Sequence, residues 1–219
     1  MQDHPPLEGR HALTFQHGGL ALHDWLDGLR APSAADQHDL DGARPWRFDL
    51  ALSRLAGSTK DALRADRLLG AWAWSLLASA CDRPINTLIL GRDRVVVTRA
   101  MDADHARAEL AKLLDAWQRA LQAPLPVACQ TALAWLDKPE EAYRKYNPGD
   151  HGRAEGDDVY LKRLYPDFDA LMADGQMPAL AEQLYGAFRQ WMGSHVTAVP
   201  LVSDEGEPGD DADAAGRAA

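Results

Sequence analysis

The hydrophobic pattern is clearest over residues 87–126, TLILGRDRVVVTRAMDADHARAELAKLLDAWQRALQAPLP. Two short apolar runs, Leu88-Ile89-Leu90 and Val95-Val96-Val97, stand on either side of GRDR. β-Branched runs broken by such a turn predict a β-hairpin, with Gly91 free to take positive φ. The period then changes. Ala106, Leu110, Leu113, Leu114, Trp117 and Leu121 recur at the spacing of one helix face. Asp102 stands where its carboxylate can accept the first unpaired amides, and Pro124 and Pro126 stop the helix. The stripe is expected to pack on the sheet to which the hairpin belongs. An aspartate at Leu113 or Trp117 is then expected to unfold the domain, because the buried charge has no partner.

The remaining pattern is read around this unit. Residues 1–10 predict a disordered start. Residues 11–30 predict a second hairpin that turns at His17-Gly18-Gly19, and 31–44 a polar loop. Residues 46–52, WRFDLAL, alternate as a strand. Residues 66–80 predict a helix whose core stripe is Leu68, Leu69, Trp72, Leu76 and Leu77. Residues 126–136 read as an apolar connector, with a short helix at 140–146. Tyr160, Leu164, Tyr165 and Phe168 come next, in a segment broken at Pro166. Pro178 fits the start of a last helix that buries Leu180, Leu184, Phe188 and Trp191. The order is strands, helix, hairpin, then helices. It predicts a mixed α/β (α+β) domain over 11–200, a small central mixed sheet flanked by helices, and a disordered acidic tail over 201–219.

Composition adds bounds. The chain has 219 residues, 46% hydrophobic, long enough for a core without disulfides. Cys81 and Cys129 read as reduced structural thiols, and no segment carries a secretory or membrane-spanning pattern. A cytoplasmic protein is expected. The net charge is −10; residues 201–219 hold six acids and one base, a net −5, which leaves −5 for residues 1–200. An acidic body is a poor stand-alone DNA binder, so a DNA role would need positive field from another chain.

Catalytic patterns are scarce. There is no G-x-S-x-G, P-loop, G-x-G-x-x-G or C-x-x-C, and no two of the eight histidines stand at i, i+4 on a helix. Asp157, Asp158, Asp167 and Asp169 cluster by sequence, a pattern of helix caps more than of metal ligands. Tyr160, Tyr165, Phe168 and Trp191 could stack on bases, though their helical spacing suits core packing. Lys162 and Arg163 form a small basic pair that could touch a phosphate.

The run GRDRVVV…LL.AW..AL.APLPV, then TALAWL and EGDDVYLKRLYPDF, resembles the C-terminal domain of RecC, the gamma subunit of exodeoxyribonuclease V (RecBCD). GGLALHDWLDGLR and LRADRLLGAWAWSLL are similar to the same domain, in the same order, so the resemblance spans about residues 13–191. It implies a piece of a much longer subunit, non-catalytic, with RecB-like and RecD-like partners and DNA contact within the complex. Hydrolase activity would reside in the partners, and no cofactor or membrane is implied. It also implies the fold of restriction-endonuclease-like nucleases with the active site lost. A working site of that type needs two acids on adjacent strands for Mg²⁺ and a Lys beside the second. The matching positions are Asp27, Asp49 and, for the Lys, Ala51; the Gln and Tyr of the next helix fall on Leu68 and Trp72. A free-standing Mg²⁺-dependent nuclease using Asp27, Asp49 and a displaced Lys60 stays open as an alternative. So does an interaction-only remnant.

Overall fold

The computed structural model describes residues 4–33, 43–57, 62–147, 149 and 154–201. Local pattern sets the first element. β1 (His11–His17) and β2 (Leu20–Leu26) form a two-stranded antiparallel sheet. Their two-residue turn, Gly18 at φ 54° and Gly19 at φ 80°, takes the left-handed backbone that glycine adopts at no steric cost. Leu13 and Leu26 enter the core, and the hairpin tip is tied to a distant helix by His17 Nε2–Asp115 Oδ1 (2.8 Å). The disordered start predicted for 1–10 is not what residues 4–8 show. Leu7 N–H donates to Leu29 O and Ala31 N–H to Pro5 O, both at 2.8 Å, and Pro6 bridges to Arg30.

The second sheet has the order β3-β4-β5-β6, with β3 Trp46–Leu50, β4 Asn86–Leu90, β5 Arg94–Thr98 and β6 Val196–Pro200. β3 and β4 are parallel, because α1 (Leu69–Ala80) carries the chain back between them. β4 and β5 are the predicted hairpin. Gly91 is absent from the positive-φ glycines. A Cβ there would stand 2.6 Å from Leu55 Cδ1, so the glycine serves close packing and not turn conformation.

The strand β6 has no counterpart in the sequence pattern. Its five residues end in proline, and it pairs with β5 from about a hundred positions away. It makes the sheet four strands wide, with Ile89, Val96 and Ala198 in register on the helix-covered face.

Asp102 caps α2 (Ala103–Gln122), its Oδ1 accepting His105 N–H at 2.9 Å. That bond holds the Asp102 carboxyl below its usual range. α2 lies alongside α1, and the two helices share one core with Ile89 and Val96 of the sheet. The predicted stripe is buried only over its first half. Ala106, Leu110 and Leu114 are inside, whereas Trp117 is 51% and Leu121 67% exposed. The helix outruns the surface beneath it.

Residues predicted as a connector are instead α3 (Cys129–Asp137), followed by α4 (Pro139–Tyr146). α5 (Val159–Leu164) and α6 (Phe168–Met172) lie on either side of Pro166. The last helix opens at Met177–Ala181 (α7), widens into a π-turn over Glu182–Gly186, and closes as α8 (Ala187–His195). Trp72, Phe188 and Trp191 join α1 to α8, with ring centroids 5.4 and 5.9 Å apart. A smaller second core gathers Tyr146, Leu171, Met177 and Ala181, and Tyr185 packs against both cores.

The architecture is a mixed α+β fold, with a four-stranded mixed sheet, a two-stranded sheet and flanking helices. The acidic tail (202–219) and Lys60 lie outside the described residues.

Candidate functional site

Alternation along β3 decides where its polar residues go. Arg47 and Asp49 face the helices; Trp46 and Phe48 face away. Arg47 Nε donates to Asp49 Oδ1 at 2.9 Å, and its guanidinium lies 4.4 Å from the Trp74 ring on α1. The Asp49 carboxylate is thereby neutralised by its own strand. Its register partner on β4 is Ile89, not an acid.

Asp27 follows the end of β2, in the other sheet. It is paired with Arg10 at 3.2 Å, both side chains well exposed. The two carboxylates that the resemblance aligns are thus not on adjacent strands. Ala51, at the base position, continues β3 by donating its N–H to Leu90 O at 2.9 Å and offers a methyl group. Leu68 and Trp72 are both in the core, at 0% and 5% exposure. Among the described residues, no group of three or more His, Cys, Asp or Glu side chains comes together to hold a metal ion. Among them, too, no helix is long and apolar enough to cross a membrane.

The acids of 157–169 act on backbone. Asp158 accepts Tyr160 N–H (3.0 Å) and Leu161 N–H (3.2 Å) at the start of α5. Asp167 accepts Ala170 N–H (2.8 Å) at the start of α6, and Asp157 accepts Ala154 N–H at 3.1 Å. Asp169 lies in the first turn of α6, on the favourable side of the helix dipole. Of the four aromatics read as possible base stackers, Trp191 is buried, and Tyr165 and Phe168 pack on the second core. Tyr160 is different, at 78% exposure. Lys162 and Arg163 are exposed in the last turn of the same short helix, beside the exposed Val159 and Leu164.

Both thiols are free, and burial works against their ionisation. The Cys129 thiol is pushed up to about 11, first by burial and then by the Glu155 carboxylate. Burial also raises Cys81, whose thiol donates to Thr14 O at 3.4 Å.

Sequence reasoning did not single out the outward face of the larger sheet. Leu50, Leu90, Val95 and Val199 stand in register across all four strands, and three of them are 70%, 40% and 62% exposed in the order Leu50, Leu90, Val199. Phe48, Leu88 and Val97 form the next row. The signal was present as continuous apolar runs in β4 and β5, which mark strands apolar on both faces. At the far end of the face, Arg99 lies 5.5 Å over Trp46 and Arg30 lies 5.8 Å over Phe48. His4 stands edge-on to both rings, 5.9 and 5.8 Å away.

Comparison with protein families matches the RecC C-terminal domain over residues 2–140, from the paired N-terminal segment through α3. The span is shorter than the resemblance to about residue 191 implied. No curated protein matches the chain. The matched family is that of a subunit of the multi-subunit RecBCD complex, exodeoxyribonuclease V, which serves DNA repair and recombination. As the match takes in both hairpins, the parallel β3–β4 unit and the two central helices, the chain belongs to the RecC C-terminal domain family.

Proposed function

We propose that the chain is a non-catalytic part of a RecC-type gamma subunit, a nuclease-like scaffold without its active site. In this reading it makes contacts to RecB-like and RecD-like subunits and guides unwound DNA in double-strand break repair. The observation that carries the reading is the state of the aligned nuclease positions. Asp49 is opposite Ile89 and tied to Arg47, Ala51 stands where a Lys would handle water, and Leu68 and Trp72 are core. A site built that way has no pair of carboxylates to share a Mg²⁺ and no ammonium to steer an attacking water.

Strand contact is assigned to α5, where exposed Tyr160 can stack on a base while Lys162 and Arg163 meet phosphates. With a chain charge of −10, this contact is weak alone and depends on the positive field of the partners.

Two measurements test the reading. Purified chain incubated with linear DNA and Mg²⁺ or Mn²⁺ is expected to leave the DNA intact; cleavage lost in Asp49→Ala overturns the non-catalytic assignment in favour of a free-standing nuclease. The chain is also expected to co-elute with the cognate RecB-like and RecD-like subunits. Failure to bind either sinks the complex-subunit reading.

A further inference from the structure

The outward face of the four-stranded sheet is an aliphatic surface with cations at one end and no carboxylate among its outward strand positions. The row Leu50–Leu90–Val95–Val199 crosses the sheet, and Leu52 and Leu201, 81% and 42% exposed, follow just past the ends of β3 and β6. Exposed apolar patches of this kind mark binding sites. Toward the opposite end the strands carry Trp46, Phe48 and Asn86, roofed by Arg30, Arg99 and His4. A chain with 33 acids and 23 bases has kept every acid off these positions.

Geometry and charge select the occupant. Four strands about 4.8 Å apart span roughly 14 Å, enough to seat one α-helix about 10 Å wide. The five residues of a strand give about 17 Å of length, three helical turns. A second copy of this face would bring guanidinium groups to a surface that again offers no carboxylate. Residues 202–219 hold acids but only one large aliphatic residue, Val202, and cannot supply an apolar stripe. Exposed aliphatic side chains, with the aromatic rings capped by arginine, do not suit stacked bases.

We propose that this face docks an amphipathic helix of a partner subunit. Its aliphatic stripe lies on the Leu50–Val199 row, and carboxylates at one end meet Arg99 and Arg30. The proposal rests on the partner-contact reading for the source of the helix, and on the sheet alone for its chemistry.

The test uses the full chain and an 18-residue helical peptide with a leucine stripe and glutamates in its terminal turn, followed by fluorescence anisotropy. A matched peptide has glutamine for each glutamate. The chain is expected to bind the glutamate peptide at least fivefold more tightly than the glutamine peptide, and Arg99→Gln is expected to erase that difference. The double variant Leu50→Asp, Val199→Asp is expected to weaken binding at least tenfold. Both sites are largely exposed, and the milder Leu50→Ser, Val199→Thr pair serves if the first unfolds. Equal binding of the two peptides, no binding of either, or binding untouched by both pairs of substitutions overturns the proposal. So does a homodimer of wild-type chain that the same substitutions convert to monomer, since the occupant is then a second copy. If the peptides fail while the chain still co-elutes with the RecB-like subunit, the docking proposal falls and complex membership stands.

Discussion

Gly91 shows how one residue can be right for a reason its neighbours in sequence do not reveal. A turn between two β-branched runs invites a positive-φ glycine, yet the constraint comes from Leu55, whose Cδ1 and Cγ would lie 2.6 and 2.7 Å from an added Cβ. Gly91→Ala is expected to cost about 1–3 kcal/mol through overpacking. Gly70 is the counterpart. It lies within α1 with open space around its Cα, so Gly70→Ala is expected to gain about 0.5–1 kcal/mol from helix propensity alone. Urea denaturation of the two variants checks both signs. If Gly91→Ala is as stable as the parent, Leu55 moves aside freely and the packing argument is wrong. Asp49 makes the same point about charge. Read along the chain it is a candidate ligand; in the fold it is half of an Arg47 pair beside an indole.

At the scale of elements, α2 and α3 are instructive. The α2 stripe is a correct helix signal, but periodicity says nothing of how far the partner surface extends. α1 is 12 residues long and α2 is 20, so the apolar stripe outruns α1 and Trp117 stays half exposed, although Gln118 donates to Gly18 O (3.2 Å) and Arg119 to Gln183 Oε1 (2.6 Å). Leu114→Asp is therefore expected to cost about 4 kcal/mol or more, and Trp117→Asp about 1 kcal/mol or less. Thermal melts separate the two; comparable losses would mean that the outer half of α2 is covered in solution.

α3 starts at a residue without a capping side chain, Ala128, and is completed from elsewhere. Glu155 accepts Gln130 N–H at 2.9 Å and Thr131 N–H at 2.7 Å, and its carboxylate also takes the Thr131 hydroxyl at 2.8 Å. Hydrogen bonds to a charged group contribute about 1.5–3 kcal/mol, so Glu155→Ala is expected to destabilise by that order, measured by denaturant unfolding, with α3 the first helix lost. Glu155→Gln, which keeps an acceptor, is expected to recover part of it. This remote cap is why the sequence of α3 reads as a connector: its start signal sits 25 residues downstream.

In the whole molecule, two cores of unequal size meet at Tyr185. The larger joins the sheet to α1, α2 and α8; the smaller is centred on Tyr146, whose hydroxyl donates to Tyr165 O at 2.6 Å. Burial pushes that phenol up to about 12, and Gly156 packs directly on the ring. Local opening follows the amount of apolar contact, so amides of α4 to α6 are expected to exchange with solvent deuterium through a lower-energy opening than those of α1, β4 and β5. Equal protection across both regions would show a single cooperative unit. Contiguous residues carry the local elements: the β4–β5 hairpin, the Asp102 cap, the glycine turn of β1–β2, the break at Pro166 and the RecC likeness. Long-range packing supplied what distance in the chain hides. It added β6 to the sheet, cut the α2 stripe short, capped α3 with Glu155, put Asp27 past the end of β2 and Asp49 within β3, and left one face of the larger sheet aliphatic and exposed. The physical reason is that period and turn chemistry fix which way a side chain points along its own element, whereas burial and ionic partners depend on which distant surface arrives opposite it.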